Sequence, residues 1–455
     1  LSPRDIFEYR TVRALAAHAG STAVVRLEEL PGGGIGELDL TPTIRWMLEL
    51  SPQPGAFDDY NQSTVLNLPA GFSDEDVAAV LDAVIARHPM LSARLAQTAG
   101  QWLMSAGEPV TSIAGRAVVQ TVDAVTGSAD FDEALRAAHR AALAALDPAT
   151  GAMVAVATVR SSVDGAGRLV LAINHAAVDA VSWMTILGDL AAGAGAVAVG
   201  DPIALPPAAG TSMRRWARVL TELGAQRCDE IDVWRRHLPE QPSALALGAP
   251  VLVSQTALAQ VRVPVRVTEA VLGSVAPAFR TGVDDVLLTA VMIAAARLDL
   301  SSDSGATAVS VLLEGHGRVE SIAPGADLSS TVGWFTSVSP VTVSTAELVA
   351  DLVHATKSVK EALATRPDDG IAFGSLRWGP DHDDELAARP LPPIVFNYLG
   401  AGGSSTGGAV DLSATPFAVT GDGPDLPPSV AGAMFAPALT ANISTVPAAD
   451  GREDR

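Results

Sequence analysis

Cysteine is almost missing from these 455 residues. Cys228 stands alone, so no internal disulfide can form and no cysteine-rich metal site can be assembled. Aromatic residues make up only 4%, while alanine, glycine and valine dominate, a bias read here as that of a GC-rich genome. Positive charge is in short supply too: 30 basic residues face 51 acidic ones, for a formal charge of −21. Such a balance disfavours nucleic acid and anionic membrane as partners. No apolar run is read as approaching the roughly 20 residues of a spanning helix, and the N-terminus lacks the charged-then-apolar layout of a signal peptide. A cytoplasmic protein is therefore expected. The leading Leu1 in place of a methionine reads as the start of a segment taken from something longer.

What is present is globular. Apolar residues at 48% and charged residues at 18% are enough to build large packed interiors, and the length calls for two or three domains. Residues 1–20 hold Ser2 as a possible N-cap, Pro3 at the first helical position and Ile6, Phe7, Val12, Leu15 and Ala16 at helical spacing, which predicts the last helix of a small domain. Residues 21–36 end in Pro31-Gly-Gly-Gly-Ile-Gly36 and read as a flexible linker. A first lobe runs over 37–200. It mixes helices, predicted over 41–50, 74–87 and 130–146, with strands over 60–69, 90–97, 153–159 and 169–173. The Pro- and Ala-rich stretch within 201–212 breaks both periodicities and marks the inter-lobe linker. A second lobe over 213–455 is predicted to hold helices at 213–238, 283–300 and 348–363. Its predicted strands lie at 261–267, 309–313, 394–400 and 438–446.

Four segments carry chemistry. The run Leu169–Ile173 reads as a buried strand that delivers Asn174 and His175 at its carboxyl end, with Asp179 four residues on and an apolar helical stripe from Val181 to Leu190. Ligands bind outside the carboxyl ends of strands in such sheets, although a histidine there can equally be a hydrogen-bonded support. The stretch 310–318, SVLLEGHGR, sets Glu314 directly after an apolar strand with glycines on both sides of His316. A Glu314–Arg318 ion pair in a tight turn is one reading. A strand-end glutamate facing a strand-end histidine across a cleft is the other. The stretch 331–336, TVGWFT, places Trp334 and Phe335 side by side, so the two rings point different ways and one can line a cavity. The stretch 394–400, IVFNYLG, is an apolar strand with Asn397 and Tyr398 at its end.

Taken in order, LTPTIRW near residue 40, YNQS at 60–63, RHPMLSAR at 87–94, NHAAVDAVSW at 174–183, EGHGR at 314–318, VGWFT at 332–336 and FNYLG at 396–400 make a combination that resembles the epimerization domains of nonribosomal peptide synthetases, members of the condensation-domain superfamily. The resemblance covers residue 37 to the end. Residues 1–20 resemble the last helix of a peptidyl carrier domain. The fold this implies is α/β, similar to chloramphenicol acetyltransferase: two lobes, each a sheet flanked by helices, with a tunnel between them. The implied activity is L-to-D inversion at the α-carbon of an aminoacyl or peptidyl thioester. The substrate hangs on the phosphopantetheine arm of an upstream carrier domain, in a synthetase with neighbouring modules.

By the same resemblance His175 and Glu314 form the acid–base pair. Asp179 holds the motif turn, paired with an arginine such as Arg94, and Asn174 and Arg318 support it. Asn397 and Tyr398 bind the enolate or the arm, while Trp183, Trp334 and Phe335 line the tunnel. No metal and no cofactor of the domain's own is implied, since phosphopantetheine comes with the carrier. The family pattern has a second histidine and a glycine where this chain has Asn174 and Ala180, and it continues beyond the present C-terminus through another strand and a closing helix. Two other readings share the fold: a domain that docks the carrier without catalysis, motivated by Asn174 and Ala180, and a condensation domain that forms peptide bonds.

Overall fold

The computed structural model describes residues 25–107, 112–208, 210–239, 251–301, 307–401, 417–420, 434–435 and 437–445, together with 245 and 249. The helix expected over 1–20 and the chain beyond the last strand lie outside these residues. Two mixed sheets of four strands organise everything else. In the first lobe the order is β2 (Asn61–Asn67), β7 (Gly167–Asn174), β6 (Val154–Ser161) and β5 (Val118–Val122), antiparallel except for the β6–β5 pair. A small antiparallel sheet sets β4 (Gln101–Ala106) between β1 (Gly36–Leu38) and β3 (Arg94–Thr98). The first-lobe helices are α1 (Pro42–Leu50), α2 (Asp74–Arg87), α3 (Ala129–Leu143) and α4 (Ala180–Val199).

The period of two decides which face each side chain serves. Along β7, Val170 and Ala172 pack with Phe131, Leu135 and Ala138 of α3, whereas Leu169, Leu171 and Ile173 turn to the opposite face and join a core shared with the second lobe. The ends of α2 follow from local chemistry. Ser73 Oγ accepts from the Asp76 N–H at 3.1 Å while the Asp76 carboxylate accepts from the Ser73 N–H at 2.9 Å, a reciprocal cap that satisfies two helix-end donors.

The second lobe opens with α5 (Met213–Gln226) and α6 (Ile231–His237), where the sequence predicts one helix over 213–238. Arg227, at φ −118° and ψ 25°, breaks the spiral, and the new direction carries Trp234 into full burial against Phe373. A short pairing joins β8 (Val251–Leu252) to β12 (Met434–Phe435). The strand predicted over 261–267 is not one. Its alternating valines, Val261, Val263, Val265 and Val267, are all exposed, and α7 (Val265–Ala270) begins directly after Pro264, whose fixed φ favours a helix start. Then come α8 (Ala276–Phe279), α9 (Val283–Ser301), α10 (Thr345–Ala350), α11 (Leu352–Ala364), α12 (Ile371–Trp378) and α13 (Asp384–Ala388).

The second sheet runs β10 (Ser337–Ser344), β9 (Ala308–Gly315), β11 (Ile394–Ala401) and β13 (Leu439–Thr445). Pro340 sits within β10, which is tolerated because β10 is an edge strand. Val309, Val311 and Leu313 of β9 pack against Met292 and Ala296 of α9, and Leu312 faces the shared core. Residues 417–420 then return to the first lobe and add to the free edge of β2: the Asn67 N–H donates to Ala418 O at 2.8 Å and the Thr420 N–H to Val65 O at 3.0 Å.

Two expectations change here. Helix α4, at 20 residues, is long and apolar enough to pass as a membrane span by length and composition, so an apolar stretch of that length does exist. It also carries Asp189, which pairs with Arg87 and His88 at 2.9 and 2.7 Å. The linker before the first lobe, as far as it is described, is strapped down rather than free. The Leu27 N–H donates to Gly325 O at 2.8 Å, the Glu29 carboxylate accepts from the Ser212 N–H and hydroxyl at 2.7 Å each, and Arg214 and Arg215 donate to the carbonyls of Pro31, Gly33, Glu37 and Glu28.

Candidate active site

Strand β7 ends in a 3-10 turn, residues 175–177, that Asn174 holds on three sides. Its amide donates to Phe57 O and Asp58 O at 2.8 and 3.1 Å, and its carbonyl accepts from the Ala176 N–H at 3.0 Å. An imidazole could not make all three bonds, so asparagine at this position is fully used. Ala180 takes no left-handed conformation. It is the first residue of α4, and Asp179 is the N-cap, accepting from the Ser182 N–H at 2.7 Å.

Asp179 also reaches across to the second lobe. One carboxylate oxygen lies 3.3 Å from Arg318 Nη2 and the other accepts from the Phe335 N–H at 3.1 Å. Ser182 completes the junction: its hydroxyl donates to Gly333 O at 2.9 Å and accepts from the Gly333 N–H and Arg318 Nη2 at 3.1 and 3.0 Å. One donor and both lone pairs are thereby satisfied. Arg318 donates further to Leu328 O and Thr331 O and stacks 3.9 Å above the Phe335 ring. The partner of Asp179 is thus Arg318 and not Arg94, which is exposed on β3. The pairing of Arg318 with Glu314 is replaced by the same contacts.

Glu314 follows from the strand pattern. It shares its face of β9 with Leu312, opposite the helix-packed Val311 and Leu313, and its carboxyl group has no hydrogen-bond or ion-pair partner among the described residues. Burial without a compensating charge pushes that carboxyl up to about 7. Beyond it, Gly317 adopts φ +66°, and a Cβ there would lie 1.7 Å from Phe335 O. The glycine of EGHGR is therefore required by the backbone of VGWFT packed against it.

His175 is enclosed by aromatic rings. Tyr60, opposite it across the β2–β7 ladder, stacks at 5.0 Å between centroids and 16° between planes, and Trp334 packs against both rings, 4.4 Å from the imidazole and 5.9 Å from Tyr60. Burial lowers the imidazole pKa, with the nearby Asp179 charge and backbone groups opposing. Tyr60 stacks on His175 and feels the charge of Glu314: burial raises its hydroxyl pKa first, and the Glu314 charge raises it further. On the same face of β2, the Gln62 amide nitrogen is 2.9 Å from His175 Nε2, and its carbonyl accepts from Trp183 Nε1 at 2.8 Å.

Of the residues predicted from sequence, His175, Trp183 and Trp334 thus form one cluster with Tyr60 and Gln62, and the charge of Glu314 is felt there at Tyr60. Phe335 is buried, with the Arg318 guanidinium over its ring. Alternation along β11 splits the last pair. Asn397 shares the face of the core-facing Val395, while Tyr398 packs with Ile443 in the outer core, its hydroxyl 3.4 Å from Thr445 Oγ1. Tyr398 therefore turns away from the Glu314 face. Tyr60, Gln62 and Ser182 are the contributors that sequence reasoning missed: the first two lie in the YNQS motif at 60–63 and Ser182 in the motif at 174–183, but the motifs gave them no role. Clefts of about 690 and 700 Å³ are lined by residues such as Lys357 and Lys360, and Arg87 and Pro207; neither is lined by His175 or Glu314. Among the described residues no group of three or more His, Cys, Asp or Glu is placed to hold a metal ion.

Comparison with known proteins gives this geometry a family. The chain is 31% identical over 436 residues to chondramide synthase cmdD of Chondromyces crocatus, covering 93% of this chain and 11% of that protein. It is 30% identical over 410 residues to a linear gramicidin synthase of Brevibacillus parabrevis, covering 88% and 8%. It therefore spans about a tenth of the length of these curated relatives. Among solved structures, the epimerization domain from the third module of tyrocidine synthetase B superposes with a TM-score of 0.73 at 23% identity, covering 93% of this chain and 91% of that one. The first condensation domain of the calcium-dependent antibiotic synthetase gives 0.57 at 19%, with 80% of each chain covered. These likenesses establish a shared two-lobed α/β fold. The family model described as the condensation domain matches residues 37–420, and the chain belongs to that family.

Proposed function

We propose that this domain epimerizes the α-carbon of an aminoacyl or peptidyl thioester presented on the phosphopantetheine arm of a carrier domain, within a larger cytoplasmic synthetase whose neighbouring modules supply and receive the chain. The observation that carries this reading is the buried Asp179–Arg318 contact between the lobes, which brings in a strand-end histidine from one lobe and a strand-end glutamate from the other, each four residues before its member of the pair, with the Glu314 charge felt at Tyr60, which stacks on His175. Burial moves the two groups in opposite senses, the imidazole down and the carboxyl up to about 7. Between the lowered pKa of His175 and about 7, then, neutral His175 and protonated Glu314 coexist. That is the state an acid–base pair needs to remove the α-proton from one face and return a proton to the other. Removal leaves a thioester enolate, and Asn397, on the Glu314 face of the second sheet, is the amide nearest in register to support it. The carrier's arm brings the thioester in, and the domain itself supplies only residues.

The test is exchange. Purified protein mixed with its loaded carrier in D2O should incorporate deuterium at the α-carbon, His175→Ala should abolish this, and Glu314→Gln should reduce it by about 10²-fold or more. Wild-type exchange that persists in both variants overturns the assignment. Binding of loaded carrier without any exchange favours the docking reading, and dipeptide formation from donor and acceptor carriers favours condensation.

A further inference from the structure

We propose that Gln62, clamped by Trp183, is a positioning residue that sets the tautomer of His175, fixing the proton on Nδ1 and directing the Nε2 lone pair along the Gln62 side of the site. This deepens the epimerization reading and rests on it only for its kinetic consequence. An indole N–H donates and never accepts, so Trp183 Nε1, 2.8 Å from Gln62, compels the amide to present its carbonyl there. The amide NH2 must then face the other way, and His175 Nε2 lies 2.9 Å from it. Two N–H groups cannot share that contact, so Nε2 carries no proton and accepts. A neutral imidazole with a bare Nε2 is protonated at Nδ1, the nitrogen that contacts no hydrogen-bond partner among the described residues.

The rest of the surroundings leaves Nε2 to this amide. Tyr60 stacks on the ring and Trp334 packs against both, Asp179 has committed its carboxylate to Ser182, Arg318 and Phe335, and the backbone groups of His175 and Val178 that act on the imidazole favour its protonated form without choosing against a bare Nε2. Among the described side chains, Gln62 is the one hydrogen-bonded to the ring, and it decides which nitrogen is bare. Gln62 and Trp183 do more than fill space: together they hold the lone pair of His175 as an acceptor in a fixed direction, ready to give up the amide's hydrogen bond and take a proton from substrate.

Long-range proton–nitrogen NMR on protein labelled with 15N-histidine tests this, with His175 assigned by its loss in His175→Ala. The expected wild-type result at pH 8 is an unprotonated Nε2 and a protonated Nδ1. Gln62→Glu, nearly isosteric, offers acceptors to both neighbours, so it should reverse the tautomer and raise the His175 pKa by about one unit or more. Trp183→Phe frees the amide to rotate and should give a mixture of tautomers while keeping the ring packing. A protonated Nε2 in the wild type, or an unchanged tautomer in Gln62→Glu, overturns the proposal. In the exchange assay Gln62→Met should lower kcat about tenfold, the loss of one hydrogen bond's worth of orientation, with KM little changed; a rise in KM alone overturns the positioning role. A wild-type protein that shows the expected tautomer but no exchange rejects epimerization and leaves the tautomer assignment standing.

Discussion

Asp179 and Arg318 belong to different lobes and meet at 3.3 Å, each almost fully buried, with side-chain exposures of 5% and 9%. The carboxylate that starts α4 is therefore the same one that receives the loop leaving β9. His175 precedes this aspartate by four residues and Glu314 precedes this arginine by four, so the pair sets the spacing between the two candidate acid–base groups. A turn in one sheet and a loop in the other are registered through a single buried contact, supported by Ser182 and Gly333.

Breaking this contact from one side should be costly. Arg318→Ala leaves Asp179 charged and buried with only N–H donors, and should destabilise the protein by about 3–5 kcal/mol. The double variant Asp179→Asn with Arg318→Met should lose less than the sum of its singles, because the partners fail together. Urea unfolding of the four proteins of this cycle measures the coupling; additive losses would mean that the two side chains are not energetically joined.

Glycines 315 and 317 look equivalent in EGHGR and differ in the fold. At Gly317 a methyl group meets Phe335 O and the backbone is left-handed, whereas Gly315 has ordinary φ and a Cβ there would lie 3.2 Å from the rotatable Ser337 hydroxyl. Gly317→Ala should therefore cost on the order of 2–4 kcal/mol and displace the loop that positions Trp334, and Gly315→Ala much less. Thermal unfolding distinguishes them, and equal effects would refute the packing argument.

The opposed shifts at His175 and Glu314 predict a bell-shaped pH dependence of α-proton exchange. Below the lowered pKa of His175 both groups hold protons and no base remains, so the rate falls with acid. Above about 7 Glu314 has given up its proton and no acid remains, so the rate falls with alkali. In Glu314→Gln the residual rate should keep the acidic limb and lose the alkaline one. An alkaline limb that survives in this variant would assign it to another group.

How far the sequence reaches is clear at these residues. His175 and Glu314 were legible because each ends an apolar run, and a strand that turns polar at its carboxyl end announces itself. The fold class followed from the ordered motifs and the family resemblance that they carry. Arg318 as the partner of Asp179 was not legible, since 139 residues separate them and several arginines compete on equal terms. Gln62 was hidden for a different reason: a polar residue in an alternating strand reads as solvent-facing until the neighbouring strand and its histidine are known. Tyr398 and Phe335 were misplaced because adjacency in sequence says only that two side chains diverge, not which of them meets the site. The valines at 261–267 alternate like a strand, but alternation without a pairing partner specifies nothing, and Pro264 decided the matter.

The strap formed by residues 25–37 gives the last prediction. Composition favours freedom there, with four glycines between residues 31 and 37, yet Glu29 caps α5 through the Ser212 N–H and hydroxyl, and Arg214 gathers three carbonyls of the strap. A carboxylate at a helix N-terminus satisfies donors that the helix itself cannot, and losing it costs about 1 kcal/mol. The strap should accordingly show slow amide exchange at Leu27, whose N–H is bonded to Gly325, in spite of the glycines that follow. Glu29→Ala combined with Arg214→Ala should speed that exchange by tenfold or more and lower stability by about 1–2 kcal/mol, while amides in the middle of β7 keep their protection. If the wild-type strap exchanges as fast as an unstructured peptide, the glycines have won and the segment is a free tether; if it is protected and the double variant releases it, the strap fixes where any preceding domain leaves the surface of this one.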